Sequence, residues 1–107
     1  MTYKIISSDE FDKKLNKLDY SIKQRLIKIK ERLKLNPYIG KPLVVEYFRE
    51  LKINKFRFYY LIYENYKIVK LATISEKKDQ QRTICAIKLF LDIYKQEIED
   101  YIKKRGS

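Results

Sequence analysis

The sequence predicts an α+β fold: a strand, a helical hairpin, a three-stranded antiparallel meander and a long C-terminal helix, in that order. Three observations carry the prediction. Apolar residues recur at helical spacing up to residue 35, at strand density from 43 to 75, and at helical spacing again from about 80. A length of 107 residues suits one domain with a modest core, so residues 1–107 are read as a single domain, with about 80–107 as the extended helix.

"TYKII" (2–6) reads as a short strand, and Ser7 with Glu10 has the spacing of a capping box that starts a helix. Phe11, Leu15 and Leu18 form the apolar face of that helix. From about Asp19 to Leu35, Ile22, Leu26, Ile29 and Leu33 line one face of a second helix, while Lys23, Lys28, Lys30 and Arg32 face water. Asn36-Pro37 ends it, because the residue before a proline is driven out of the helical region. Residues 43–53, 55–64 and 67–75 are dense in Val, Ile, Leu, Phe and Tyr, with "ENYK" (64–67) as the turn between the last two. After "SEKKDQQ", Ile84, Ile87, Leu91, Tyr94, Ile98 and Tyr101 make a narrow apolar stripe along the terminal helix. That stripe is buried against its own sheet, in a homodimer seam through the C-terminal helix, or as a lid in which Asp92, Glu97, Glu99 and Asp100 answer cations.

Charge narrows the partners. Lys plus Arg number 25 against 14 Asp plus Glu, a net charge of +11 that draws the surface toward RNA, DNA, acidic lipid or an acidic protein. The chain has no histidine, which removes the commonest general acid/base and the commonest zinc ligand. Its two glycines, Gly40 and Gly106, cannot write a P-loop or a dinucleotide cradle, so no nucleotide cofactor and no metal is expected. A single cysteine, Cys85, fits a reduced compartment. No apolar run approaches the roughly 18 to 20 residues of a membrane span, and "MTYKIISSDE" lacks the core of a signal peptide. The expectation is a soluble, cytoplasmic protein with no membrane partner.

The segment "ELKINKFRFYYLIY" (50–63) combines a greasy face with cations. Strand alternation sends Phe56, Phe58, Tyr60 and Ile62 to one face and Lys55, Arg57 and Tyr59 to the other, which is expected to be the more open one. A half-buried antiparallel strand ordinarily has a polar solvent face, and that alone accounts for the cations.

Two motifs extend the reading. "GKPL" (40–43) followed by "LKINKFRFYY" (51–60) resembles the "gkpL…LRxGxYRvxY" stretch of the RelE/ParE superfamily of toxins from type II toxin–antitoxin systems, with Lys52 and Arg57 at its basic positions. "TISEKKDQQ" (73–81) is similar to the family's "hRrdvY" motif, with Lys77 and Lys78 at the basic positions. Glu76 stands where a histidine is frequent and Gln81 where a tyrosine is frequent. The resemblance implies a single RelE-like toxin domain that either cuts messenger RNA at the ribosome or, as ParE-like members do, inhibits DNA gyrase. It implies an acidic cognate antitoxin as partner, together with the ribosome and mRNA for the nuclease. A non-catalytic RNA-binding or interaction module is the third reading.

Cleavage through the 2′-hydroxyl needs a base, an acid for the leaving 5′-oxygen, and cations for the charge that builds on phosphorus. Arg57 suits the phosphate, because guanidinium is permanently charged and bonds two oxygens at once. Lys52, Lys55 and Lys78 suit neighbouring phosphates, or a lysine crowded by other cations serves as acid or base. Glu76 with Lys77 is the substitute for histidine, or Glu76 and Asp79 simply complement the positive N-terminus of the last helix. Tyr59 is placed to stack on an unpaired base. The expected site is therefore Arg57, Lys52, Glu76 and Lys77 for chemistry, with Lys55, Tyr59 and Lys78 for RNA contact.

Overall fold

The computed structural model of the chain describes residues 2–106, and the chain divides into two compact units, residues 1–77 and 78–107. The first unit runs β1 (Lys4–Ser7), α1 (Asp9–Asn16), α2 (Tyr20–Leu35), β2 (Lys41–Pro42), β3 (Phe48–Ile53), β4 (Phe56–Tyr63) and β5 (Ile68–Glu76). Its sheet has the order β1-β5-β4-β3-β2; β2 to β5 pair antiparallel, and β1 returns to lie parallel to β5. The predicted meander is present. The parallel pairing of β1 and the two-residue strand β2 are additions that periodicity cannot reveal, since neither depends on which face a side chain takes.

Both α-helices of the first unit begin at a side-chain cap. Ser8, rather than Ser7, caps α1: its Oγ accepts from the Phe11 amide at 3.0 Å, while Ser7 is the last residue of β1 and pairs with Leu71. Glu10 therefore does not close a capping box; it accepts from the Thr73 hydroxyl of β5. Asp19 caps α2 by accepting from the Ile22 amide at 3.1 Å. After α2, the Asn36 side chain accepts from the Tyr38 amide at 3.0 Å, and Pro37 opens a single 3₁₀ turn.

The core lies on one face of the sheet. Phe11 of α1 and Ile22, Leu26 and Leu33 of α2 cluster with Ile53, Phe58, Tyr60, Ile62, Val69, Leu71 and Ile74. Burying each large apolar side chain contributes about 1.5–3 kcal/mol. One irregularity keeps this face continuous: Tyr59 pairs with Thr73 but Tyr60 pairs with Leu71, so Ala72 is an extra residue in β5. The bulge restores the parity that brings both Ile74 and Leu71 under the helices.

The opposite face is not the open surface the alternation predicts. Phe48, Tyr59 and Leu61 are fully buried there, with the Phe48 and Tyr59 rings 6.4 Å apart. β4 thus reads as a strand buried on both faces, apart from its partly buried first residue.

The second unit is helical, as its spacing predicts, but it is divided into α3 (Gln80–Leu89) and α4 (Leu91–Gly106) at Phe90. The Phe90 amide donates to the Ile87 carbonyl at 3.0 Å, a tighter turn than the α-helix makes. Ile87 and Leu91 keep a spacing of four across the break, so the apolar stripe gives no sign of it. Among the described residues, no helix is long and apolar enough to cross a membrane.

Candidate functional site

The β3–β4 ladder sets the site. Ile53 pairs with Phe56, which leaves Asn54 and Lys55 as a two-residue turn, and the next pair inward is Lys52 with Arg57. Residues directly opposite in an antiparallel pair share a face with Cβ atoms about 4.5–5.5 Å apart, so these two cations emerge side by side. On the other side of Arg57 the register places Ser75 of β5. Lys55 is a turn residue rather than part of the strand.

Arg57 is 5% exposed, and its Nη1 donates to the main-chain carbonyls of Asn54 at 3.2 Å and Phe56 at 3.1 Å. Lys52 is exposed. Among the described residues, neither is in an ion pair with a carboxylate. Arg49, the other buried arginine, shows the contrast: its guanidinium is paired with Glu46 and donates to the carbonyls of Tyr38 at 3.2 Å and Gly40 at 2.8 Å. Arg49 is a structural cation that ties the Pro37–Ile39 turn to β3. Arg57 has no such carboxylate, although a desolvated guanidinium is costly without one.

The turn end of the hairpin collects further cations. The Lys77 amide donates to the Lys55 carbonyl at 2.8 Å, which fixes the start of the turn after β5 beside the β3–β4 turn. The Lys55 ammonium lies 3.6 Å from Glu76 and 5.5 Å from the centroid of the Phe56 ring. Arg25 of α2 arrives at the same place, with Nη1 3.3 Å from Asn54 Oδ1. Arg25, Lys52, Lys55, Arg57 and Lys77 therefore share one end of the first unit, where Glu76 is ion-paired with Lys55 and the buried Glu50 lies two register pairs inward of Lys52 and Arg57.

The register separates one of the predicted residues, Glu76, from the pair Lys52 and Arg57. Glu76 is opposite Phe56, whose ring packs against the helix-side core, so Glu76 and Arg57 leave the sheet on opposite faces. Glu76 ends β5 and is ion-paired with Lys55; the residue before α3 is Asp79, whose side chain makes no capping bond. Tyr59 requires a correction. It is 0% exposed, its hydroxyl is 2.8 Å from Ser75 Oγ, and it is a packing residue instead of a platform for a base. Lys77 and Lys78 are exposed, Lys78 opening the second unit.

Arg25 and Asn54 are the site residues that sequence reasoning missed. Asn54 left a signal, since asparagine between two strand runs marks a turn that needs a left-handed residue, and its φ is 54°. Arg25 left none, because on an amphipathic helix it is one of many wet cations. Among the described residues, no group of three or more His, Cys, Asp or Glu side chains is placed to hold a metal ion.

No protein-family model matches the chain, and no curated protein matches it. Solved structures do. An E. coli RelE variant in the free state has a TM-score of 0.70 at 17% identity, over 82% of this chain and 97% of that one. The RelBE2 toxin–antitoxin complex of Mycobacterium tuberculosis has a TM-score of 0.62 at 20% identity, over 71% of this chain and 99% of that one. The archaeal RelE–RelB complex of Pyrococcus horikoshii has a TM-score of 0.63 at 17% identity, over 71% and 96% respectively. At these identities the likeness is one of fold, and the fold of this chain is that of RelE.

Proposed function

We propose that the chain is the toxin of a type II toxin–antitoxin pair and a ribosome-associated, metal-independent endoribonuclease that cuts messenger RNA. The observation that carries this reading is the pair Lys52 and Arg57, two cations opposed on neighbouring strands of a RelE fold with no carboxylate between them. Like charges directly opposite destabilise a sheet, so an anionic ligand is the economical reason to hold them there. A phosphate in flight from 2′-hydroxyl attack is such a ligand.

In this proposal Arg57 and Lys52 take the non-bridging oxygens, while Lys55, Lys77 and Lys78 hold flanking phosphates. Without histidine, proton transfer falls to Glu76 or to a lysine of the cluster. Glu76 is ion-paired with Lys55 and leaves the sheet on the face opposite Arg57, so a lysine of the cluster is the better-placed proton carrier and electrostatic stabilisation the main source of rate. The partner that silences the toxin is an acidic antitoxin segment, which the charge of +11 attracts at long range. Of the similar structures, that of RelBE2 is a toxin–antitoxin complex and the archaeal one a RelE–RelB complex, in keeping with that partner.

A ParE-like gyrase inhibitor is the second reading, favoured by the missing histidine and by Gln81 in place of a tyrosine. A translation extract programmed with a defined message separates the two. Truncated message that depends on Arg57 supports the nuclease, intact message with blocked supercoiling supports the inhibitor, and neither effect leaves a non-catalytic RNA-binding module.

A further inference from the structure

We infer that Asn54 and Arg25 are positioning residues for Arg57, and that the guanidinium edge they leave free, Nε with Nη2, is the one that grips the phosphate; this rests on the reading of Lys52 and Arg57 as a phosphate site. Both recorded bonds of Arg57 leave from one nitrogen, Nη1, and end on carbonyls of the turn, Asn54 at 3.2 Å and Phe56 at 3.1 Å. A guanidinium has five N–H donors, so among the described residues the Nε–Nη2 edge keeps its parallel pair for a bidentate contact.

The direction of that edge follows from the turn. Asn54 adopts φ 54°, a left-handed conformation that asparagine tolerates, and this conformation aims its carbonyl at Arg57. The Lys55 half of this two-residue turn is tied to the end of β5 by the Lys77 amide and the Glu76 ion pair, which leaves the Asn54 half to be held by its own ladder and by Arg25. Arg25 supplies that hold by donating to Asn54 Oδ1 at 3.3 Å from α2, a helix whose Ile22, Leu26 and Leu33 are locked in the core. The chain of contacts from α2 through Arg25, Asn54 Oδ1 and the Asn54 carbonyl to Arg57 thus transmits the rigidity of the core to one guanidinium. A buried arginine without a carboxylate gains from such a device, which adds to the packing around it and to its bond with the Phe56 carbonyl.

The test uses Asn54→Gly, which keeps the left-handed turn while removing the amide, together with Arg25→Ala, Arg25→Lys and the double variant Arg25→Ala/Asn54→Gly. Single-turnover cleavage of a defined message should fall on the order of 10-fold to 10²-fold in Asn54→Gly and Arg25→Ala. The double variant should be no worse than the poorer single, and Arg25→Lys should recover part of the rate. RNA affinity should keep its salt dependence in all four. The guanidinium NMR signals of Arg57 should shift in the free protein of both single variants, whatever the RNA does.

If Arg25→Ala alone is impaired and takes about 0.7 off the slope of log affinity against log salt, Arg25 touches a phosphate itself and the inference is overturned. Wild-type rates and unshifted Arg57 signals in both single variants overturn it as well. If the wild type neither cuts nor binds RNA but the Arg57 signals shift as stated, the phosphate reading fails while the positioning contact stands.

Discussion

Lys52 and Arg57 stand directly opposite each other across β3 and β4, one exposed and one buried. Removing the exposed member separates function from stability. Lys52→Ala should leave the urea midpoint unchanged, or raise stability by about 0.2–1 kcal/mol through relief of like-charge repulsion, while it weakens growth arrest on expression. A variant that stays fully toxic would show that the pair is only a solvated surface feature.

Arg57→Lys keeps the charge but loses the planar fork. If a bidentate phosphate contact is made, cleavage should drop on the order of 10²-fold, close to the loss expected for Arg57→Ala. Activity near that of the wild type in the lysine variant would mean that a point charge suffices and that no fork is used. Circular dichroism on both variants checks that the buried position tolerates the change.

Tyr60 of β4 ties down the loop before β2 through Pro37 and Gly40. The Tyr60 hydroxyl accepts from the Gly40 amide at 3.0 Å and donates to the Pro37 carbonyl at 2.6 Å, and burial pushes its pKa up to about 12. Tyr60→Phe orphans the buried amide and should cost about 1–3 kcal/mol in chemical denaturation. A Cβ at residue 40 would lie 2.5 Å from the Tyr60 hydroxyl and 2.8 Å from the Glu50 carbonyl, so Gly40→Ala should cost about 1–3 kcal/mol as well. The double variant should fall short of the sum, since removing the hydroxyl relieves one of the two clashes.

Glu64 carries the clearest acid dependence. Hydrogen bonds from Lys67, Tyr38 and Tyr3 hold its carboxyl down to about 2, below the ordinary 4.5. A carboxylate whose pKa is depressed on folding contributes stability above its unfolded value and loses it as pH falls toward its folded value. Urea midpoints measured from pH 6 to about pH 2 should therefore drop less steeply for Glu64→Gln than for the wild type. Parallel curves would show that this exposed cluster is solvated and contributes nothing.

Much of the fold was legible because side-chain periodicity reports directly on which face is buried. The switch from spacing of three and four to alternation after residue 42 marked the sheet, and Phe11, Ile22, Leu26 and Leu33 were named as core faces and are buried. Where no face changes, periodicity is silent. The break at Phe90 keeps the apolar stripe in phase, and the parallel partner of β1 is chosen by backbone hydrogen bonds that carry no side-chain signature.

The candidate site divides the same way. By itself the sequence determined that cations interrupt an aromatic strand and that no histidine is available, because these are matters of composition and spacing. Tertiary structure decided that Lys52 and Arg57 share a face while Glu76 leaves from the other, that Tyr59 is buried, and that Arg25 reaches the turn from a helix some thirty residues earlier in the chain. The reason is that a strand's register and a helix's docking are set by the packing of the whole core, and one residue of slip in either would reassign every one of those neighbours.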